Sequence, residues 1–206
     1  MKKLENKMSE ILAFNRWGTE GIKVDDPGLV RYITLEPKIV PKTGARYHGS
    51  KFHKSRVFIV ERLINKLMVP GHKSKKHFRT SYKMTGKAHT VYDIVEETLK
   101  RIEKQTKENP IKVFVKALEN AAPREEIITI EYGGARYPKA VECAPQRRID
   151  VALKLMVQGA YHRCFNSKKG MVENLAEEII NAYHFSQASN AIAKKLEVER
   201  QADASR

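Results

Sequence analysis

The stretch PIKVFVKALENAAPREEIITIEYGGARYPKAVEC, residues 110–143, decides the fold. In its first half Ile111, Phe114, Val115, Leu118, Ala121 and Ala122 recur at helical spacing and form one apolar stripe. Pro110 follows Asn109 at the first helical position, where a missing N–H costs nothing. Pro123 closes the helix. The apolar period then drops from 3.6 residues to about 2. Glu126 to Tyr132 is β-rich through Ile127, Ile128, Thr129 and Ile130. Gly133-Gly134 supplies a turn that accepts positive φ, and Arg136 to Cys143 returns as a second strand. Pro138 cannot donate to a ladder, so the returning strand is an edge. With no third strand visible, residues 124–143 form a two-stranded ribbon. Such a ribbon is marginal in water unless something packs on it.

Helices flank this ribbon on both sides. Residues 55–69 carry Ile59, Val60, Leu63, Ile64 and Leu67 behind Ser55, a candidate N-cap, and stop at Pro70-Gly71. Residues 90–107 carry Val91, Ile94, Val95, Leu99 and Ile102. Residues 145–166 line Ile149, Ala152, Leu153, Met156, Val157 and Ala160 along one side. Residues 171–184 turn Val172, Leu175, Ala176, Ile179 and Tyr183 inward, with Glu173, Glu177 and Glu178 on a solvated face. Residues 187–202 make a last, more polar helix ending in a frayed tail. The expected class is mainly α: a bundle of about six helices with a protruding two-stranded β-ribbon and an irregular N-terminal extension. Residues 1–54 are the extension and a basic loop, and residues 55–206 the helical domain. A chain of 206 residues, 41% hydrophobic, suits one core with such an extension.

The net charge of +15 calls for a polyanionic partner, and its distribution narrows the choice. Residues 36–90 hold fourteen Lys or Arg against two acids, and residues 133–170 hold eight against two. The remaining segments are nearly neutral. A merely solvated surface scatters both signs along the chain, so localised contact with nucleic acid is the leading reading. A membrane is second and weak, because no run of about 18 apolar residues exists. The N-terminal lysines precede no apolar stretch, so no secretory signal is visible and an intracellular chain is expected. Cys143 and Cys164 are too few for a disulfide framework or a four-thiolate zinc site, and read as buried or half-buried thiols.

The candidate contacts lie mainly in irregular segments. Residues 36–55 are broken by Pro37, Pro41, Gly44 and Gly49. There Arg46, Tyr47, His48, Lys51, Phe52, His53 and Lys54, followed by Arg56, interleave cations with rings. Cations meet phosphates, and flat rings stack on unpaired bases; a solvated loop is the plainer alternative. A second basic loop, residues 71–89, carries Lys73, Lys75, Lys76, Arg79, Lys83 and Lys87, a density that repels itself unless anions neutralise it. At the ribbon, Arg124, Gly133, Gly134, Arg136, Tyr137 and Lys139 make a candidate RNA-reaching arm. Arg147 and Arg148 occupy the first turn of a helix, where the dipole prefers acids. Phosphate contact explains that placement, and so does simple packing. Arg163, Lys168 and Lys169 complete the set. Lys194, Lys195 and Arg200 face either RNA or water. Trp17, the single tryptophan, is either a core or docking anchor or a stacking ring.

Nothing points to catalysis. His162 and Cys164 are two residues apart on a helix and diverge, so they are no nucleophile–base pair. There is no phosphate-binding glycine loop and no metal spacing. No cofactor is expected. A regulatory DNA- or messenger-binding protein would instead show a basic, amide-rich recognition helix, whereas the cations here sit in loops and a ribbon. Even so, scattered residues leave an enzyme acting on RNA as a third reading.

Several stretches together carry a family resemblance: Lys54 to Met68 (KSRVFIVERLINKLM), Asn109-Pro110 followed by Ala117 to Glu125 (ALENAAPRE), Gly133 to Tyr137 (GGARY), Pro145 to Asp150 (PQRRID) and Leu175 to Ala182 (LAEEIINA). In this order they resemble small-subunit ribosomal protein number seven, the universal family, in its archaeal or eukaryotic-type form. The resemblance runs from about Trp17 to the C-terminus. It implies a helical bundle with a ribbon, and a structural, non-enzymatic role in the cytoplasm, in the ribosome. It implies binding to the 3′ major domain of the small-subunit ribosomal RNA and nucleation of head assembly. Neighbouring head proteins are implied partners, with exit-site transfer RNA and messenger RNA near the ribbon, and no homo-oligomer. Two features depart from the family pattern. Pro138 stands where a hydrogen-bonding strand residue is expected. Gly71 to Lys87 is longer and more basic than the short Gly-Lys-Lys-type loop of bacterial members.

Overall fold

A computed structural model describes residues 11–73 and 76–206, the side chains of residues 73, 76 and 77 excepted. Among the described residues, two 3-10 turns, Val30–Tyr32 and His53–Arg56, precede six α-helices. These are α1 (Ile59–Leu67), α2 (Ala88–Thr106), α3 (Pro110–Ala121), α4 (Pro145–Cys164), α5 (Met171–Tyr183) and α6 (Asn190–Ala204). Between α1 and α2, His72–Lys73 (β1) pairs with Lys76–His77 (β2); between α3 and α4, Glu125–Tyr132 (β3) pairs with Ala135–Glu142 (β4). The mainly α class with a ribbon is therefore what forms. The short β1–β2 pair lies inside the segment expected as a plain loop.

The helical stripes bury where their spacing puts them. α5 packs on α2, α3 and α4, and α1 packs on α2 and α4. Val91, Leu99, Phe114, Leu118, Ile149, Met156, Leu175 and Ile179 are all fully buried in one core. The segment before α1 joins that core through Phe14, Trp17, Leu29 and Ile33. Trp17 is 4% exposed, edge-on to Phe14 at 5.8 Å, which fits the core-anchor role. Asn109 caps α3, accepting from Ile111 N–H, while its amide donates to Gly18 O at 2.7 Å.

α4 and α6 approach closely at Gly159. A Cβ there would stand 2.6 Å from Cβ of Asn190, whose amide donates to Leu155 O. The ribbon turn needs glycine for another reason: Gly133 and Gly134 have φ of 58° and 82°, the pair of positive values a type I′ hairpin requires.

The ribbon register is unbroken, with Tyr132 opposite Ala135 and Thr129 opposite Pro138. In a two-residue hairpin the pair flanking the turn is hydrogen-bonded and pairs alternate from there. Thr129–Pro138 is thus a non-hydrogen-bonded pair. The missing N–H of Pro138 faces away from β3 and costs the ladder nothing.

Three local expectations are corrected. Ser55 is not a helix N-cap: it lies in the second 3-10 turn, its hydroxyl bonds to Gln146 Oε1, and α1 starts after Phe58. The cause is tertiary, since Thr34 and Phe58 form a parallel bridge that holds the chain extended. Glu178 does not face solvent but is fully buried between α4 and the start of α6. The C-terminal tail is not frayed. α6 runs to Ala204 and packs on β3, and Arg206 pairs with Glu125 at 2.7 Å.

Candidate nucleic-acid interface

The basic segments meet at the two ends of α4. This helix has 20 residues, about 30 Å at 1.5 Å per residue. Pro145 at its first position suits the orphan N–H there, and no side chain caps its N-terminus.

At that N-terminal end the two arginines have different fates. Arg148 is 11% exposed; it donates to Pro123 O at 3.1 Å and pairs with Asp26 at 2.7 Å. Burial alone would raise the Asp26 carboxyl, but the hydrogen bonds from Arg148 and Gly28 outweigh it and hold Asp26 below its ordinary range. Arg148 therefore ties α4 to the extension. Arg147 is more than half exposed and pairs with Glu126 at the ribbon base, 2.6 Å away, a hydrogen bond that raises its pKa.

The first basic loop docks beside them. Lys54 and Arg62 share the Asp150 carboxylate, each at 3.1 Å, and Arg62 also donates to Tyr32 O. Arg62 is 5% exposed, so it belongs to the scaffold. Lys66 lies nearby, and burial lowers its pKa against the pull of Asp150. Arg46, Lys51 and Arg56 are exposed and make no ion pair among the described residues. Lys38 lies over Tyr47, Lys51 over the exposed Phe52, and His48 beside His53.

At the C-terminal end of α4 the second basic loop packs down. Gln158 donates to His72 O, Tyr161 donates to Thr80 O at 2.5 Å, and Phe78 meets His162 edge-on at 5.0 Å. The Arg79 guanidinium stacks on Phe165, 3.7 Å from the ring centre. This contact joins the loop to the 166–170 turn, which carries the exposed Lys168. Arg163 pairs with Glu178 and Lys169 with Glu177. Lys83 is exposed, and Lys87 lies over Tyr82. Lys73 and Lys76 have backbone in β1 and β2, but their side chains, and all of Lys75, lie outside the described residues.

The outer ribbon, residues 128–139, is exposed throughout. Arg136 stands 3.5 Å from Glu131, Tyr137 is 58% exposed, and Lys139 is free of ion pairs among the described residues. Arg124 is exposed beyond α3, and its N–H donates to Glu199.

The sequence-predicted cations thus divide. Lys54, Arg136, Arg147, Arg148, Arg163 and Lys169 each have an acidic partner. Arg46, Lys51, Arg56, Arg79, Lys83, Lys87, Arg124, Lys139 and Lys168 have none among the described residues. Sequence reasoning missed Arg31, which is exposed beside Arg56 and Lys51 in a shared cleft. It lies in a nearly neutral segment that carries no local signal. Lys195, one of the residues left between RNA and water, donates instead to Asn120 O, and burial lowers its pKa.

These features define a class: a basic helical scaffold with a ribbon, whose unpaired candidate cations lie on loops and the ribbon. The sequence pattern of the family described as ribosomal protein S7p/S5e matches residues 29–206. The chain is 53% identical over 193 residues to a protein of Nanoarchaeum equitans named small ribosomal subunit protein uS7, covering 94% of this chain and 98% of that one. It is 45% identical over 197 residues to the protein of the same name from Archaeoglobus fulgidus, covering 96% of each. The chain belongs to the ribosomal protein S7p/S5e family. It is accordingly a structural ribosomal protein and not an enzyme.

Proposed function

We propose that the chain is a structural constituent of the small ribosomal subunit in the cytoplasm. It binds the 3′ major domain of the small-subunit ribosomal RNA and nucleates assembly of the head beside neighbouring head proteins. Its ribbon lies near exit-site transfer RNA and messenger RNA. The observation that carries this reading is the set of nine candidate cations without acidic partners among the described residues, gathered on the two basic loops, the ribbon and the 166–170 turn. Charges left uncompensated in one chain await compensation from another. Loops and a ribbon suit backbone and junction recognition in folded RNA better than groove readout by a helix. Family membership and the relatives' names supply the subunit.

The test is a titration of the purified protein against 3′ major-domain RNA and against a length-matched random RNA, across salt. Preference for the domain RNA is expected, with log affinity falling by roughly 0.7–0.9 per phosphate for each unit of log salt. Equal binding to both RNAs at moderate salt would remove the reading.

A further inference from the structure

A cleft of about 540 Å³ opens between the two 3-10 turns, lined among others by Arg31, Tyr32, Tyr47, Lys51, Phe52 and Arg56. Its size falls inside the range of about 300–1,000 Å³ typical of small-ligand sites. Three cations and three aromatic rings line it, and Glu36 is the single acid among its lining residues. Arg31, Lys51 and Arg56 make no ion pair among the described residues. The cleft therefore attracts an anion with a flat face.

Its walls are fixed. The first turn is held to α1 by the bond from Arg62 to Tyr32 O. The second is held to the first by Thr34, whose hydroxyl donates to Ser55 O and whose carbonyl accepts from Ile59 N–H. Ser55 in turn bonds to Gln146 in α4.

Phe52 stands out on this fixed frame. It has φ of 57°, a left-handed backbone that any residue with a Cβ enters at a cost. Yet the residue is 56% exposed, so burial returns little for that strain.

We propose that this cleft takes one unstacked nucleotide of the bound RNA, its base stacked on Phe52 and its phosphates held by Arg31, Lys51 and Arg56. Sequence-specific RNA recognition works on splayed-out bases of this kind, on aromatic faces flanked by cations. The inference rests on the RNA-binding reading above and adds a defined subsite to it.

The test uses the full chain, with Phe52→Gly, Phe52→Leu and Phe52→Trp variants and 3′ major-domain RNA carrying 4-thiouridine. Phe52→Gly relieves the backbone and keeps or raises the melting temperature. Its RNA affinity falls by roughly 5-fold to 140-fold, the span of base–aromatic stacking, with the salt slope unchanged. Phe52→Leu, apolar but without a flat face, falls as well, while Phe52→Trp keeps wild-type affinity. Arg56→Gln instead lowers the salt slope by roughly 0.7–0.9. Photocross-links from the RNA map to Tyr32, Tyr47 or Phe52. Unchanged affinity in Phe52→Gly, or cross-links confined to other parts of the chain, would overturn the subsite while leaving RNA binding intact. Cross-links from this cleft to an acidic segment of a neighbouring protein in assembled particles, and none to RNA, would overturn it too. Failure of the wild-type protein to prefer the domain RNA is a separate outcome that removes both readings.

Discussion

Glu178 sits in mid-helix on α5 with its carboxylate fully buried. Oε1 accepts from the Ser189 hydroxyl at 2.8 Å and from the Ala191 N–H at 3.1 Å, and Oε2 lies 3.0 Å from Arg163. One acid thereby satisfies the first turn of α6 and ties it to α4 and α5. Burial raises its pKa, against the lowering effect of Ser189, Ala191 and Arg163. The folded protein therefore holds this proton to higher pH than the unfolded chain does. Stability falls as pH rises from the ordinary value of 4.5 through the folded value. Glu178→Gln keeps a carbonyl acceptor for both donors and loses a pair in which Arg163 is 34% exposed. At neutral pH the lost pair is offset by relief of the buried charge, so the net effect of this substitution is small. Glu178→Ala strands two buried donors and costs about 3 kcal/mol or more. Urea denaturation at several pH values checks both, and the pH slope just described vanishes in Glu178→Gln. Equal losses in the two variants would show that the carboxylate is not the acceptor the geometry makes it.

The helices and the ribbon were legible because each carries its own local pattern. The stripe from Val91 to Ile102 buries as its spacing demands, and the switch in period after Pro123 marks the strands to within a residue. What was illegible depends on partners far along the chain. Ser55 looks like a cap until Thr34, 21 residues earlier, forms a bridge with Phe58 and bonds to Ser55 O. Arg148 looks like a phosphate ligand until Asp26, 122 residues away, closes on it. The same distinction governs the ribbon, whose geometry is set locally by its turn. Replacing Gly133-Gly134 by Ala-Ala puts two Cβ atoms at positive φ, at about 1–2 kcal/mol each. Among the described residues the ribbon packs mainly on α6, with Arg147 of α4 paired to Glu126 at its base, so its outer part opens without unfolding the bundle. Amide exchange then shows lost protection in β3 and β4 and unchanged protection in α2 to α5. Pro138→Thr, at a non-hydrogen-bonded pair, changes neither. Lost protection in α3 or α5 with the Ala-Ala variant would mean that the ribbon is coupled to the core and is not an independent arm.

Surface cations of this molecule fall into two sets that no single segment reveals. In one, Arg16, Lys100, Arg101, Lys112 and Lys116 each meet an acid, between 2.5 and 3.1 Å away. In the other, Arg46, Lys51, Arg56, Lys83 and Lys87 are exposed with no acidic partner among the described residues. Neutralising each set to Gln removes the same five charges, so net charge cannot distinguish the two variants. Position can, because exposed charges are screened over about 8–10 Å at ordinary salt. Removing the unpaired set relieves self-repulsion and leaves the melting temperature unchanged or higher at low salt. The slope of log RNA affinity against log salt drops by roughly four units, at 0.7–0.9 per lost phosphate contact. Removing the paired set lowers the melting temperature modestly, since exposed pairs are individually weak, and leaves the salt slope where it was. Parallel melting curves and salt titrations on the two variants decide it. Equal loss of RNA affinity from both sets would mean that binding follows total charge. A loss confined to the unpaired set would mean that the fold reserves those cations for RNA by keeping its own acids away from them.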